Sequence, residues 1–132
     1  MRHFYSLFFY CALPLVLARL WWRGKLAPAY RLRWRERFGF VPALKRDQQC
    51  LWLHAVSVGE VLAAKPLIEA LLNQYPDHAI WVTTSTPTGS ARVKDSFGER
   101  VKHSYAPYDL PDALARFLGR LKPQALIIME TE

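Results

Sequence analysis

The side chains best suited to chemistry in this 132-residue sequence are carboxylates and hydroxyls that directly follow short apolar runs. Glu60 closes the segment Ser57-Val58-Gly59-Glu60, immediately after Leu51-Trp52-Leu53-His54-Ala55-Val56. A carboxylate at a helix start sits at the positive end of the helix dipole, which favours its charged form. Such a group can be a first-turn helix residue, or it can face a cleft as a general base. Glu130 and Glu132 follow a second run, Ala125-Leu126-Ile127-Ile128-Met129, and carry a similar pair of readings. Ser85-Thr86-Pro87-Thr88-Gly89-Ser90 follows a third run, and Pro107-Tyr108-Asp109-Leu110-Pro111 a fourth, more polar one. Gly59 and Gly89 each precede a helix, where unpaired backbone N–H groups favour an anion. Neither segment matches a P-loop or a dinucleotide fingerprint. A tight turn with a Ser or Thr cap accounts for Ser85 to Ser90 as well as an anion cradle does. His54 lies inside its apolar run and reads as a satisfied core histidine.

The elements that must position these residues alternate regularly. Apolar strands are predicted from Cys50 to Val56, over Ala79–Thr84, over Val101–Ala106 and over Ala125–Met129. Helices are predicted from Glu60 to Asn73, from after Gly89 to Phe97, and over Leu110–Leu121. Pro66 should kink or shorten the first of these. Strand–helix alternation of this kind defines an α/β fold with a parallel sheet and right-handed crossovers. Ligands of such sheets bind at the carboxyl ends of the strands. All four polar clusters fall on that edge, which singles them out as one candidate site. The length suits one small domain with a core, and no helix follows the fourth strand, so the sequence reads as a domain cut partway through.

Charge is concentrated at the front. Residues 1–46 carry ten basic and one acidic side chains, while residues 47–132 carry eight and ten. Phe4 to Ala18 contains no charged residue, and with Leu20, Trp21 and Trp22 it approaches the length of a short membrane span. Arg19 can snorkel, Trp21 and Trp22 suit an interface, and the basic residues behind them predict an outside N-terminus and a cytoplasmic body. Ala18-Arg19-Leu20-Trp21-Trp22 is a poor cleavage site, so an uncleaved anchor is preferred to a signal peptide. Tyr30 to Phe40 reads as a short basic helix, with Arg31, Arg33, Arg35 and Arg37 placed to meet anionic headgroups. Pro42 to Gln49 reads as a polar connector. The resulting division is an anchor over 1–24, a basic juxtamembrane helix and linker over 25–49, and an α/β body over 50–132. Cys11 and Cys50 have no metal-ligand spacing and read as reduced thiols.

Four ordered motifs together resemble the 3-deoxy-D-manno-octulosonic acid (Kdo) transferases of lipopolysaccharide synthesis. They are Trp52-Leu53-His54-Ala55-Val56-Ser57-Val58-Gly59-Glu60, Thr83-Thr84-Ser85-Thr86-Pro87-Thr88-Gly89-Ser90, Tyr105-Ala106-Pro107-Tyr108-Asp109-Leu110-Pro111 and Met129-Glu130-Thr131-Glu132. The likeness extends to the anchor and to Arg35-Glu36-Arg37-Phe38-Gly39. It implies the N-terminal, Rossmann-like half of a two-domain GT-B glycosyltransferase, inverting and needing neither metal nor cofactor. The implied donor is CMP-Kdo, bound by a C-terminal half absent from this sequence. The implied acceptor is a phosphorylated lipid A precursor at the bacterial inner membrane. Glu60 falls where the family has its catalytic base, and Glu130 on the first glutamate of the family's Glu-Thr-Glu motif, which supports the transition state. Ser57, Gly59, Thr86, Thr88, Gly89, Ser90, Tyr108 and Glu132 are the candidate acceptor contacts. The fragment alone is expected to be inactive.

Two other classes of function compete. One is a non-catalytic membrane-surface module that binds anionic lipid through its arginines, with the body as scaffold. The other is nucleic-acid binding through the same arginines and aromatics, which would need a soluble N-terminus and is not favoured.

Overall fold

The computed structural model describes residues 2–26 and 28–130, without the side chains of Arg2, His3, Leu26, Tyr30 and Arg31. Glu132 and the side chain of Arg31, both named above, lie outside the described residues. Four strands, β1 (Cys50–Ala55), β2 (Ala79–Thr84), β3 (Lys102–Tyr105) and β4 (Ala125–Met129), alternate with α2 (Val58–Gln74), α3 (Pro87–Phe97) and α4 (Pro111–Leu121), after a long first helix, α1 (Arg2–Leu26). The sheet is wholly parallel, in the order β3-β2-β1-β4. The expected α/β class and strand–helix alternation are therefore present.

Both faces of the central strands β1 and β2 are covered, as a parallel sheet requires, while Leu126 and Ile128 of β4 stay exposed. Leu53, Ala55, Ile80 and Val82 meet α2 and α3 through Val61, Ala64, Ile68, Val93 and Phe97. On the opposite face Phe117 of α4 packs against Trp52 at 4.8 Å and Trp81 at 6.4 Å between ring centroids. Each buried indole finds an acceptor, Trp52 Nε1 donating to Thr83 Oγ1 at 2.9 Å and Trp81 Nε1 to Ser104 Oγ at 2.9 Å. A buried Trp without such a partner would cost about 1–3 kcal/mol.

Pro66 does not interrupt α2. It lies on the exposed side, away from buried Val61, Ala64 and Ile68, where a carbonyl that loses its donor can be hydrated. α2 and α3 begin at Val58 and Pro87, a little before the expected starts.

The larger difference lies between residues 28 and 44. In place of one basic helix there are two 3-10 turns, Pro28–Arg31 and Trp34–Phe38, with Arg33 left-handed at φ 58° between them. This stretch packs on the body as far as Val41, and beyond it the Pro42–Gln49 connector is exposed apart from half-buried Leu44. Val41 is buried with Trp52 and Phe117, Tyr108 N–H donates to the Arg37 carbonyl at 2.8 Å, and Arg120 Nη1 donates to the Val41 carbonyl at 2.8 Å. Arg116 donates to the Phe38 carbonyl. Gly39 is left-handed at φ 79°, and a Cβ there would run into the Ala113 carbonyl. Only glycine combines that backbone with so close an approach to α4.

Residues Phe4–Lys25 of α1 form one helix long and apolar enough to cross a membrane, with mean hydropathy 1.5. One stripe of α1 at alternating spacings of three and four (Ser6, Phe9, Leu13, Val16, Leu20) is half-buried, while Phe4, Leu7, Phe8, Leu15, Trp21 and Trp22 are exposed. Tyr5 Oη donates to Asp109 Oδ2 at 2.8 Å and Tyr10 Oη to Asp112 Oδ1 at 2.6 Å, so the N-terminal half of α1 leans on the β3–α4 loop and the start of α4.

Candidate active site

Parallel pairing puts the residues that follow each strand on one edge. Leu53↔Val82 and Thr84↔Tyr105 tie β2 to its two neighbours, and Ala55↔Met129 ends the β1–β4 pairing. One residue further on, Val56 and Glu130 continue side by side. Glu60 reaches this point from the other direction. Its Oε2 accepts the N–H of Ser57 at 3.1 Å and also the N–H of Val56. Glu60 thus turns back on Val56 at the carboxyl end of β1, and Glu130 directly follows the neighbouring β4. Glu130 is exposed and Glu60 half-buried.

The cap explains why Glu60 sits there. The first turn of a helix has free N–H donors, and an acidic residue three positions after the N-cap turns back to fill them. The consequence for chemistry is that one carboxylate oxygen is fixed while Oε1 has no protein donor among the described residues. Gly59 beside it is exposed, and a Cβ at that position would meet nothing within 4 Å. Nothing in the fold requires glycine there.

The β2–α3 turn is different. Thr86 Oγ1 accepts from the Gly89 N–H at 3.1 Å and from the Thr88 hydroxyl at 3.3 Å, capping α3. Added bulk at Gly89 would press on Thr86 and Thr84. Ser90 Oγ receives Arg33 Nη1 at 2.8 Å. The Gly89 N–H that could have cradled an anion is therefore taken by the helix cap, and the Ser90 hydroxyl by an arginine. Ser85 ties this segment to the Glu60 turn, because its N–H donates to the Val56 carbonyl at 3.1 Å.

The arginines expected on a lipid-facing surface divide into two kinds. Arg35 is exposed and stacks its guanidinium over Phe40 at 5.3 Å. Arg33 and Arg37 turn into the body. Arg33 pairs with Glu36 at 2.9 Å, and Glu36 Oε2 accepts the Tyr105 N–H at 2.9 Å, which fastens the 3-10 turn to the end of β3. Arg37 is 7% exposed, lies over the Tyr105 ring at 4.3 Å, and donates through Nη2 to the Ser85 carbonyl at 3.0 Å. The sequence placed Arg37 among lipid contacts because its neighbours are basic and aromatic. Its partners are some 48 residues away along the chain, which no local pattern reveals.

Four titratable groups in and under the site, His103, His54, Tyr108 and Cys50, have environments that move them. His103 is pushed down to about 3, first by burial and then by Arg33, whose Nη2 lies 3.0 Å from Nδ1. It was not singled out in the sequence, and it is held on its other side by Thr84 Oγ1 at 2.9 Å from Nε2. His54, 2.9 Å from Thr83 Oγ1 through Nδ1, is also lowered, chiefly by burial and against the charge of Glu60. That placement matches a satisfied core histidine next to the site. Burial raises the Tyr108 phenol, with Arg37 opposing. Cys50 is fully buried and raised to about 11, so it is inert as a thiolate, and Cys11 is a separate, exposed thiol.

A parallel α/β layer that gathers carboxylates and hydroxyls at the carboxyl ends of its strands is a Rossmann-like ligand-binding half-domain. Sequence comparison makes this specific. A family model described as "3-Deoxy-D-manno-octulosonic-acid transferase (kdotransferase)" matches residues 32–132, and the chain belongs to that family. It is 44% identical to the 3-deoxy-D-manno-octulosonic acid transferase of Haemophilus influenzae over 132 residues, which is 99% of this chain and 31% of the relative. It is 40% identical over 119 residues to an Arabidopsis thaliana protein named "Probable 3-deoxy-D-manno-octulosonic acid transferase, mitochondrial", covering 90% of this chain and 27% of that one. A Bordetella pertussis protein of the bacterial name is 35% identical over 127 residues, 90% of this chain and 29% of the relative. The chain therefore spans about a third of the length of the curated relatives it matches.

Proposed function

We propose that this chain forms the acceptor-side half of a GT-B enzyme that transfers Kdo from CMP-Kdo to a phosphorylated lipid A precursor, with inversion and with Glu60 as general base. Family membership supports the transfer. The observation that carries the role of Glu60 is its geometry: the backbone of Val56 and Ser57 fixes Oε2, and Oε1 remains for a proton. In the reaction Oε1 takes the proton of the acceptor hydroxyl as that oxygen bonds to the anomeric carbon of Kdo. The bond from that carbon to the CMP phosphate oxygen breaks, and CMP leaves with the electron pair. Glu130, on the same rim, adds negative charge where the anomeric carbon becomes cationic. Gly59 leaves room for the acceptor. In the full-length enzyme Glu60→Gln keeps an oxygen for the cap but cannot act as the base, and should lower kcat by about 10²-fold or more. Unchanged turnover with CMP-Kdo and lipid acceptor would remove Glu60 from the mechanism.

We further infer that α1 lies in the membrane interface rather than crossing it, at a membrane face on the cytoplasmic side. Tyr5 and Tyr10 are held by Asp109 and Asp112, while Arg19 and Arg23 lie near Ser85 and Tyr108. From Tyr5 to Arg23 is about 27 Å of helix at 1.5 Å per residue, and both ends meet the body. A helix running along the body in this way offers its exposed Phe4, Phe8, Leu15 and Trp22 to lipid from the side. Cysteine accessibility tests this: single cysteines at positions 4 and 22 of a Cys11→Ser chain should both react with an impermeant maleimide from the cytoplasmic side. Reaction of position 4 only from the opposite side would show that α1 crosses.

A further inference from the structure

Arg37 is a buried cation with no counter-ion among the described residues. Among the described residues no carboxylate pairs with it, its Nε has no hydrogen-bond partner, and its Nη2 has only the Ser85 carbonyl. Glu36 next to it is already held by Arg33 and the Tyr105 N–H, and Asp109 by Tyr5. Removing a guanidinium from water without a carboxylate is unfavourable, and the faces of Tyr105 and Tyr108 offset only part of that cost. A fold that retains such a group at the mouth of its site has an anion to offer it.

The space for that anion is present. A cavity of about 190 Å³ lies between α1 and the sheet edge, lined by Arg37, Ser85 and Tyr108 from the body and by Arg19, Leu20 and Arg23 from α1. At about 30 Å³ per water in the liquid, it holds a phosphate group and a few waters. Three arginines line it, and the half-buried Tyr108 phenol keeps its proton at neutral pH and can donate. Arginine forks match the paired oxygens of a phosphate, and a monoester, with close to two charges at neutral pH, gains most from three of them. Arg19 and Arg23 flank exposed Trp21 and Trp22, which sets the cavity at the depth of lipid headgroups.

We propose that this cavity is a receptor for a phosphate monoester, carried by a lipid headgroup or free in solution, with Arg37 as its buried floor and Arg19 and Arg23 as its membrane-side rim. The site sits one strand from Glu60, since Ser85 connects Arg37 to Val56 and Val56 connects to Glu60. A monoester held there would fix a phosphorylated acceptor relative to the base. The assignment of the site rests on the interfacial reading of α1 but not on the identity of the sugar transferred.

The test uses the full 132-residue chain and vesicles of phosphatidylcholine carrying either phosphatidic acid, a monoester, or phosphatidylglycerol, a diester, at matched surface charge. Binding should favour phosphatidic acid by about tenfold, which is about 1.4 kcal/mol. Arg19→Gln with Arg23→Gln, both on an exposed helix and unable to disturb the core, should abolish that preference. Removing the same charge at Lys65 and Arg92 should leave it intact. Arg37→Lys, folded as judged by circular dichroism, should also abolish it. Equal binding to the two lipids would overturn the proposal by showing diffuse attraction only. If no vesicle binds, the interfacial reading of α1 fails, and inorganic phosphate is the probe for the cavity itself. A rise in Tm with phosphate for the wild type but not for Arg37→Lys upholds the site as one for free phosphate, and no rise overturns it.

Discussion

Arg37 and Glu60 stand at the two ends of one hydrogen-bonded path. Arg37 Nη2 donates to the Ser85 carbonyl, the Ser85 N–H donates to the Val56 carbonyl, and the Val56 N–H donates to Glu60 Oε2. Two backbone crossings therefore fix the proposed base relative to a buried cation that belongs to the N-terminal segment.

The cap and the base at Glu60 can be separated by choice of substitution. Glu60→Gln keeps an acceptor for the Ser57 N–H, so its stability should match the wild type. Glu60→Ala loses that acceptor and should cost about 1 kcal/mol, read from the urea midpoint. Both should lower turnover of the full-length enzyme to a similar low level. Glu60→Gln with normal turnover and Glu60→Ala with low turnover would make the residue a cap and nothing more.

Gly59 gives a cleaner probe of acceptor approach. Position 59 is helical and open, so Gly59→Ala should leave stability unchanged or raise it by about 0.4–1 kcal/mol. In the full-length enzyme its effect should appear in KM for the lipid acceptor, with KM for CMP-Kdo unmoved. An unchanged acceptor KM would mean that the acceptor does not pass this point.

Gly39 should behave in the opposite way. Gly39→Ala adds left-handed strain of about 1–2 kcal/mol and a collision with the Ala113 carbonyl. A loss of about 2 kcal/mol or more is expected in urea unfolding. A loss below ~0.5 kcal/mol, the range of ordinary surface changes, would mean that residues 33–44 are not packed as described.

Stability should also depend on His103. Its pKa is about 3 in the folded chain against about 6.5 unfolded. Below pH 6.5 the unfolded state takes up a proton that the folded state refuses. The contribution is therefore complete above pH 6.5 and declines as pH falls toward 3, by up to about 1.4 kcal/mol per pH unit. His54 is lowered in the same direction and adds to the decline below pH 6.5. Unfolding free energies measured at pH 7, 6 and 5 should fall less steeply for His103→Asn than for the wild type, and parallel slopes would place His103 in solvent.

Much of this arrangement is readable from the sequence, and the part that is not has one cause. The strands from Cys50 and Ala79, the helix that ends at Leu121 and the gathering of Glu60, Ser85, Tyr108 and Glu130 on one edge follow from apolar runs of local period. Local pattern makes Arg33 and Arg37 lipid-facing residues of a short basic helix and puts Gly39 near its end. Their roles come instead from Ser90, Ser85 and Ala113, at separations of 57, 48 and more than 70 residues. A buried Arg looks like a surface Arg in a basic run. One local clue exists: Arg33 and Glu36, three apart, can pair only if the turn brings them together, and the pair then has an acceptor to spare for β3.

The stitching of residues 33–44 to β3 and α4 also sets an order of events in the cell. A ribosome delivers α1 first, and its exposed aromatics can meet a membrane at once. Arg37 must then wait for Ser85, Tyr105 and Tyr108, and the Phe38 and Val41 carbonyls for Arg116 and Arg120, before their partners exist. At about 5–20 residues per second that delay lasts roughly 4–17 seconds. On the interfacial reading of α1 proposed above, the segment that follows the membrane helix is thus among the last to lock, and the body is assembled against an end that is already moored.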